Sequence, residues 1–308
     1  MELKEEKISE KIKTLAKEVG FTDCGIAPAC KLEDDAIKLR RWLNSGMHAG
    51  MKYMENHFEK RIHPATLVPG AKSVIVVLLN YYPKGQISGS QKYIISKYAY
   101  GRDYHSVIKS MLKRLQHRFE EELTSLSGRM FVDSAPVLER ALASLAGLGW
   151  IGKNANLISP KHGSYCFMGE IITDVELACN KQSVPDFCGS CTKCIEACPT
   201  RAIVADRIID SRKCISYWTI EHVGSIDPSL KGRFENRIFG CDICQDVCPW
   251  NRKSQPGRIK AFYPSPDLLA MTDSDWQEIT EERFNDLFKG TALMRAGFKG
   301  LKRNIDFV

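Results

Sequence analysis

Cys188, Cys191, Cys194 and Cys198 stand in C-x2-C-x2-C-x3-C spacing, and Pro199 follows the last of them. Thiolates two residues apart can wrap a tight loop around one iron–sulfur cube, while the fourth points away to a second. The proline fixes the backbone angle at the loop's exit and removes one backbone donor. A second run, Cys241, Cys244 and Cys248, is spaced C-x2-C-x3-C and ends in Pro249, one cysteine short. Cys214 stands alone between the runs, so four, three and one make eight thiolates, enough for two [4Fe–4S] clusters. Zinc is the alternative for paired C-x2-C motifs, although the four-cysteine frame is awkward to wrap around one tetrahedral ion. Cys24, Cys30, Cys166 and Cys179 lack ligand spacing. Cys24 and Cys166 fall within apolar strands and read as small core residues.

In two-cluster ferredoxins the fourth cysteine of such a run ligates the other cluster. The same crossing assigns Cys188, Cys191, Cys194 and Cys248 to one cluster, and Cys198, Cys214, Cys241 and Cys244 to the other. A bare electron carrier needs only this cysteine-dense stretch, yet about 178 residues precede it, so the electrons serve chemistry housed there. No G-x-G-x-x-G follows a strand, and a dinucleotide site is not indicated. Asp133 is the reactive group that stands out. It is read at a strand end, before Ser134-Ala135-Pro136 and with Glu139 and Arg140 beyond on a helix. A helix cap is the competing use of an aspartate in that position.

The elements that must position these groups follow from periodicity. Ile8, Ile12, Leu15 and Val19 make one helical stripe that Gly20 stops. Phe21 to Ala27 reads as a strand, Asp34 to Leu43 as a helix, and Lys72 to Leu79 as a buried β-branched strand. Tyr104 to Leu123 reads as a long helix with Val107, Leu112, Leu115 and Phe119 inward. Arg129 to Asp133 reads as a strand, Pro136 opens a helix to about Ala146, and Tyr165 to Thr173 is a further strand. Such alternation implies a layered sheet covered by helices. Expected units are an α/β domain over residues 1–178, a cluster domain over 179–250 with short elements, and a helical segment over 251–308.

Composition bounds the class. The chain has 308 residues, 44% of them hydrophobic and 26% charged, which excludes a disordered or fibrous protein. The aliphatic run Val74–Leu79 is far shorter than the roughly 20 residues of a membrane span, and the charged start lacks a signal's apolar core. A cytoplasmic protein without membrane attachment is expected, where thiols stay reduced and twelve cysteines need a use other than disulfides. Net charge is +7, with basic residues concentrated at 97–118, 252–260 and 289–303. Solvated helix faces account for charge runs in general; a polyanionic partner is the functional alternative.

Several segments together resemble the epoxyqueuosine reductase family. They are Tyr98-Ala99-Tyr100-Gly101-Arg102-Asp103-Tyr104-His105, Val132 to Arg140, Gly147-Leu148-Gly149-Trp150-Ile151-Gly152-Lys153-Asn154, Cys188 to Pro199, and Tyr217-Trp218-Thr219-Ile220-Glu221-His222. The resemblance runs from the first strand to about Asn304. It implies an oxidoreductase that reduces epoxyqueuosine to queuosine at the tRNA wobble position, using cob(I)alamin generated through two [4Fe–4S] clusters. The implied fold is α+β: a nitroreductase-like, cobalamin-binding domain, a ferredoxin-like module and a short helical C-terminus. Base-off cobalamin between the two units is implied, with His57, Ser96, Asp133, Leu157, Met168, Ser216, Cys241 and Asp242 around it. Asp133 matches the family's proton donor. With a reference pKa of about 3.9, it needs burial that lifts it by about 2 to 3 to be a useful acid. Glu221 and His222 match a tRNA-facing stretch, in which Val223 replaces an expected lysine.

The basic patches then gain a purpose, and Arg295, Lys299, Lys302 and Arg303 are expected at the phosphate backbone. Implied partners are tRNA with a GUN anticodon and an external low-potential electron donor, with the enzyme as a monomer. Many relatives continue into a helical-repeat domain beyond the point where this sequence ends, leaving the extent of the tRNA footprint open. Two rivals are a reductive dehalogenase-like corrinoid enzyme and a cobalamin carrier or electron-transfer protein. The first favours a tyrosine donor and an export signal, and the second leaves the strand-end acid and basic patches unused.

Overall fold

The computed structural model describes residues 2–85, 92–123, 125–180 and 183–308. Helix α1 (Glu2–Val19) buries Ile12 and Leu15 and stops at Gly20, whose φ of 109° closes the turn. Strand β1 (Asp23–Pro28), helices α2 (Glu33–Asn44), α3 (Phe58–Ile62) and α4 (Pro64–Leu67), and strand β2 (Ser73–Asn80) follow. A two-residue β3 (Ile94–Ile95) precedes α5 (Tyr104–Glu122), which opens on the Asp103 side chain accepting from the His105 N–H at 2.9 Å. Then come β4 (Gly128–Phe131), α6 (Glu139–Leu145), the short β5 (Trp150–Ile151) and β6 (Leu157–Ile158), and β7 (Cys166–Thr173).

The main sheet has the order β1-β2-β7-β4, and all three pairings are antiparallel. Its two faces follow from the period-2 alternation of β7. Phe167 and Ile171 meet Ile108, Leu112, Leu115 and Phe119 of α5 together with α1. Met168 and Ile172 meet Leu142 and Ala143 of α6. Each fully buried side chain of this kind contributes about 1.5 to 3 kcal/mol. Gly25 on β1 lets α6 end close to the sheet, because a Cβ there would lie 2.3 Å from the Ala146 carbonyl oxygen.

Two expectations around Asp133 are corrected. β4 ends at Phe131, not Asp133, and the helix begins at Glu139, not Pro136. Asp133 has a φ of 47°, which ends extended pairing, and Val137 N–H bonds to Ala135 O at 2.8 Å in a tight turn around Pro136. The result is an open loop over 132–138. The cap of α6 is Leu138, so Asp133 is not spent on a helix terminus.

The cysteine-rich stretch carries α7 (Lys193–Glu196), the hairpin β8 (Ile203–Ala205) and β9 (Ile208–Ile209), a π-helical turn over Tyr217–Glu221, β10 (Arg237–Phe239) and α8 (Ile243–Asp246). β10 pairs in parallel with β3, tying this stretch to the first part of the chain. The remainder forms α9 (Pro266–Ala270), α10 (Asp273–Gln277), α11 (Glu281–Phe288) and α12 (Gly297–Phe307). Trp276, Phe284, Phe288, Leu301 and Ile305 share one core with Tyr93, Ile95, Ile238 and Phe239. No described helix is long and apolar enough to cross a membrane.

Asn304 is the polar centre of that core. It is fully buried, and its Nδ2 donates to Thr219 O at 2.9 Å and Ile238 O at 2.8 Å. Asn304→Ala strands two buried carbonyls, and chemical denaturation is expected to record a loss of about 2 to 4 kcal/mol.

Candidate active site

The structure gathers the eight motif cysteines into two neighbouring groups. Cys194 faces Cys188, Cys191 and Cys248. Cys214 faces Cys198, while Cys244 faces Cys241 and Cys214, and also Cys194 of the first group. Burial pushes the Cys241 thiol up to about 12 and Cys244 well above its ordinary value. Ionising such thiols needs bound positive charge, which a cluster's irons supply. Donors to sulfur are already in place: Trp150 Nε1–H reaches Cys188 Sγ at 3.4 Å, and Ala202 N–H reaches Cys198 Sγ at 3.2 Å. Trp150 packs edge-on against Trp250 at 4.9 Å, screening the first group.

The second group adjoins a buried polar knot. Asp242, one residue beyond Cys241, accepts from Ser96 Oγ through Oδ1 and from Lys97 N–H at 2.7 Å through Oδ2. Gly240 makes the approach possible: its φ is 70°, and a Cβ there would lie 2.5 Å from Ser96 Cβ. Burial raises the Asp242 carboxyl against the pull of Lys97. Lys97 keeps its charge because Asp242 and Asp246 together outweigh its own burial; Nζ lies 3.6 Å and 2.6 Å from their oxygens. Ser216 lies against the Cys214 thiol.

Tyr98 bridges this knot to the acid. It lies within electrostatic reach of Asp242, Asp133 and Glu221, and its ring sits edge-on to Tyr104 at 6.3 Å. Burial, then the Asp133 charge, pushes the Tyr104 hydroxyl far up, so it stays protonated and donates to Asp133 Oδ2. Tyr104 is held by stacking on Phe167, with ring centres 4.3 Å apart. Asp133 itself is exposed, so the protein alone does not provide the burial expected for it. Tyr53 lines the same opening near Glu221, Arg295 and Asp133. A site therefore forms where the 132–138 loop, Tyr98, Tyr104 and the end of the π-helical turn converge.

Other expected residues take varied positions. Leu157 is buried on β6, and Met168 lies on β7, both in the apolar layer beneath α6. His57 is exposed at the start of α3 with a φ of 56°. Glu221 pairs with Arg295 at 2.9 Å, and His222 Nε2 lies 2.9 Å from Ser225 O. Lys299 is exposed. Lys302 donates to Gln277 O and pairs with Asp306 at 2.9 Å. Arg303 is absorbed into the fold, donating to the carbonyls of Trp218, His222 and Gly224. Tyr53 and Glu170 escaped the sequence reading. For Glu170 a signal existed, a lone carboxylate inside the apolar run Phe167 to Ile172.

The family model described as epoxyqueuosine reductase QueG, DUF1730, matches residues 61–134, and that of a 4Fe-4S double cluster binding domain matches 187–251. A curated epoxyqueuosine reductase from Cellulophaga algicola is 52% identical over 303 residues, covering 98% of each chain. This chain belongs to the epoxyqueuosine reductase family. Its members are oxidoreductases, and membership decides among the three enzyme and carrier readings left open above. The Pseudomonas aeruginosa epoxyqueuosine reductase is 40% identical, covering 97% of this chain and 84% of its own. A crystal structure of an epoxyqueuosine reductase with an epoxyqueuosine-modified tRNA-Tyr stem loop overlays with a TM-score of 0.89 at 29% identity, covering 97% of this chain and 80% of that one. The Bacillus subtilis epoxyqueuosine reductase, solved with its catalytic aspartate loop swung out of the active site, overlays at 0.89 with 28% identity and the same coverages.

Proposed function

We propose that this chain reduces epoxyqueuosine to queuosine in tRNA, with two [4Fe–4S] clusters and a corrinoid as resident cofactors. The observation that carries the reading is a chain of contacts: Asp242, beside Cys241, accepts from Ser96 and from the Lys97 N–H, and the ring of the next residue, Tyr98, sits edge-on to Tyr104, whose hydroxyl donates to Asp133. It links a cysteine-bearing loop to a carboxyl able to carry a proton, as deoxygenation of a nucleic-acid base substituent requires. The modified stem loop bound to a relative supports tRNA as the substrate.

Residues 1–178, with the antiparallel sheet, are assigned to a nitroreductase-like, corrinoid-binding unit, 179–250 to the ferredoxin-like unit and 251–308 to tRNA contact. The donor set suits the cofactors. Cys188, Cys191, Cys194 and Cys248 hold one cluster, and Cys198, Cys214, Cys241 and Cys244 the other. A corrinoid would be held by residues beside Asp133, which is exposed. His57, Ser96, Leu157, Met168, Ser216 and Asp242 are its further contacts. Bound there, these groups supply one-electron relay and a strongly reducing cobalt centre. The chain's own work is acid–base: Asp133 holds a proton for the departing oxygen, and Tyr104 fixes the carboxylate's direction. Asp133 is exposed in the protein alone and would need a bound group beside it to gain the burial that favours its proton. The relative with its aspartate loop swung out of the active site supports a 132–138 loop able to change position.

Incubating reduced, cluster-loaded protein with epoxyqueuosine-containing tRNA, with and without cobalamin, tests the reading. Product forms only with cobalamin; product without it, or none with it, overturns the proposal. On the tRNA face, Glu221, His222, Arg295 and Lys299 are the contacts. Lys299→Glu is expected to weaken tRNA binding about three- to tenfold at moderate salt and to lower the salt slope by about 1, without altering cofactor reduction. Filter binding across a salt series checks it, and unchanged affinity removes Lys299 from the interface.

A further inference from the structure

Glu170 sits mid-strand in β7, fully buried, opposite Val76 of β2 and Phe131 of β4. Neither of its carboxylate oxygens meets a hydrogen-bond donor among the described residues. An ionised carboxylate so placed is strongly penalised, and the group keeps its proton instead. Its neighbour is the carboxyl of Glu139, the first residue of α6. Glu139 Oε1 in turn accepts the backbone N–H of Asp133. Three carboxyls thus stand within electrostatic reach of one another, Glu170 in the sheet interior and Asp133 at the open cleft.

We infer that Glu139 and Glu170 share a proton at neutral pH and that this pair recharges Asp133 within each turnover. The inference rests on Asp133 being the proton donor, as proposed above. Burial, then the Asp133 charge, pushes Glu139 up to about 8, and burial with the Glu139 and Asp133 charges holds Glu170 well above the carboxylate range. The other groups facing the pair are Arg140 on α6, which donates to Ala155 O, and Tyr104 on α5. Tyr53, Tyr98 and Arg295 face Asp133 from the open side.

The stoichiometry of the reaction asks for such a store. Turning an epoxide into an alkene consumes two electrons and two protons and releases one water. The first C–O bond breaks and the oxygen takes one proton, becoming a hydroxyl. The second C–O bond breaks as the C=C bond forms, and the oxygen leaves as water with the other proton. The electrons come singly from the external low-potential donor. Asp133 carries one proton and is left ionised after giving it. Glu139 restores it with the proton that the pair shares, and solvent resets the pair after product leaves.

Glu139→Gln and Glu170→Gln test this in the cluster- and cobalamin-loaded enzyme. In Glu139→Gln the side-chain amide keeps an oxygen for the Asp133 N–H, so the loop stays anchored while the transferable proton is gone. Both variants are expected to lose roughly a hundredfold in kcat near pH 7 to 8, with KM for tRNA unchanged. The loss narrows toward about pH 5, where hydronium recharges Asp133 directly. It narrows also above about pH 8, where Glu139 gives up its proton in the wild type. Infrared difference spectra of the resting wild-type enzyme should carry a protonated-carboxyl band that each substitution shifts or weakens. If Asp133→Asn is inactive while Glu139→Gln and Glu170→Gln keep the wild-type rate and pH profile, the store is refuted and the donor stands. A normal rate in Asp133→Asn sinks the donor and the store together. Absence of the band in wild type refutes the shared proton even if a variant fails to fold.

Discussion

Asp133→Asn is expected to bind cobalamin and assemble both clusters normally while losing about a hundredfold to ten-thousandfold in turnover. Asparagine preserves the side chain's shape and an oxygen for the Tyr104 hydroxyl, but it has no proton to give the departing oxygen. It also tolerates the left-handed backbone that Asp133 adopts at a φ of 47°, so the loop need not rearrange. The defect should therefore lie in the chemical step. Single-turnover reduction of modified tRNA measures it, with visible spectra reporting cofactor content in the same sample. A rate within a few-fold of wild type removes Asp133 from its role. Failure to bind cobalamin reassigns it to holding the cofactor.

The second prediction concerns which thiolates share a cluster. Cys198 follows Cys194 in the chain, yet it faces Cys214, whereas Cys194 faces Cys248. Cys198→Ala with Cys241→Ala strips two ligands from one cluster. The protein is expected to retain about four irons and as many sulfides, and to have no turnover. Cys194→Ala with Cys198→Ala takes one ligand from each cluster and should damage both. An uncrossed arrangement reverses the two outcomes. Iron and sulfide analysis with electron paramagnetic resonance of the reduced proteins separates them. Loss of turnover is expected in every case, because Asp242 beside Cys241 joins the second group to the Ser96–Tyr98 segment, and Cys244 of the second group faces Cys194 of the first.

Much of the scaffold was legible because its signals are local. The α1 stripe, the buried β2 run and the inward face of α5 each come from apolar periodicity within one element. The loop after β4 was not legible in the same way. Pro136 suits a first helical turn, but Asp133's left-handed φ and the turn around Pro136 postpone the helix to Glu139. Those features depend on Glu139 reaching back to the Asp133 N–H and on Tyr104, 29 residues away, holding its carboxylate. The basic patch was misleading for a similar reason. Arg303 looks free in sequence, yet three backbone carbonyls at the end of the π-helical turn claim it.

The sequence by itself set out the candidate thiols and pointed to a double-cluster domain, since thiol count and spacing are properties of the chain. It also determined the family, because the five motif segments occur together in one order. Only the tertiary structure decided how the parts address one another. Which cysteines from separate runs come together, and that Glu170 of β7 lies behind Glu139 and Asp133, depend on how strands and loops far apart in sequence pack. Burial strength, and with it the readiness of a carboxyl to hold a proton, is a property of that packing and is written in no single segment.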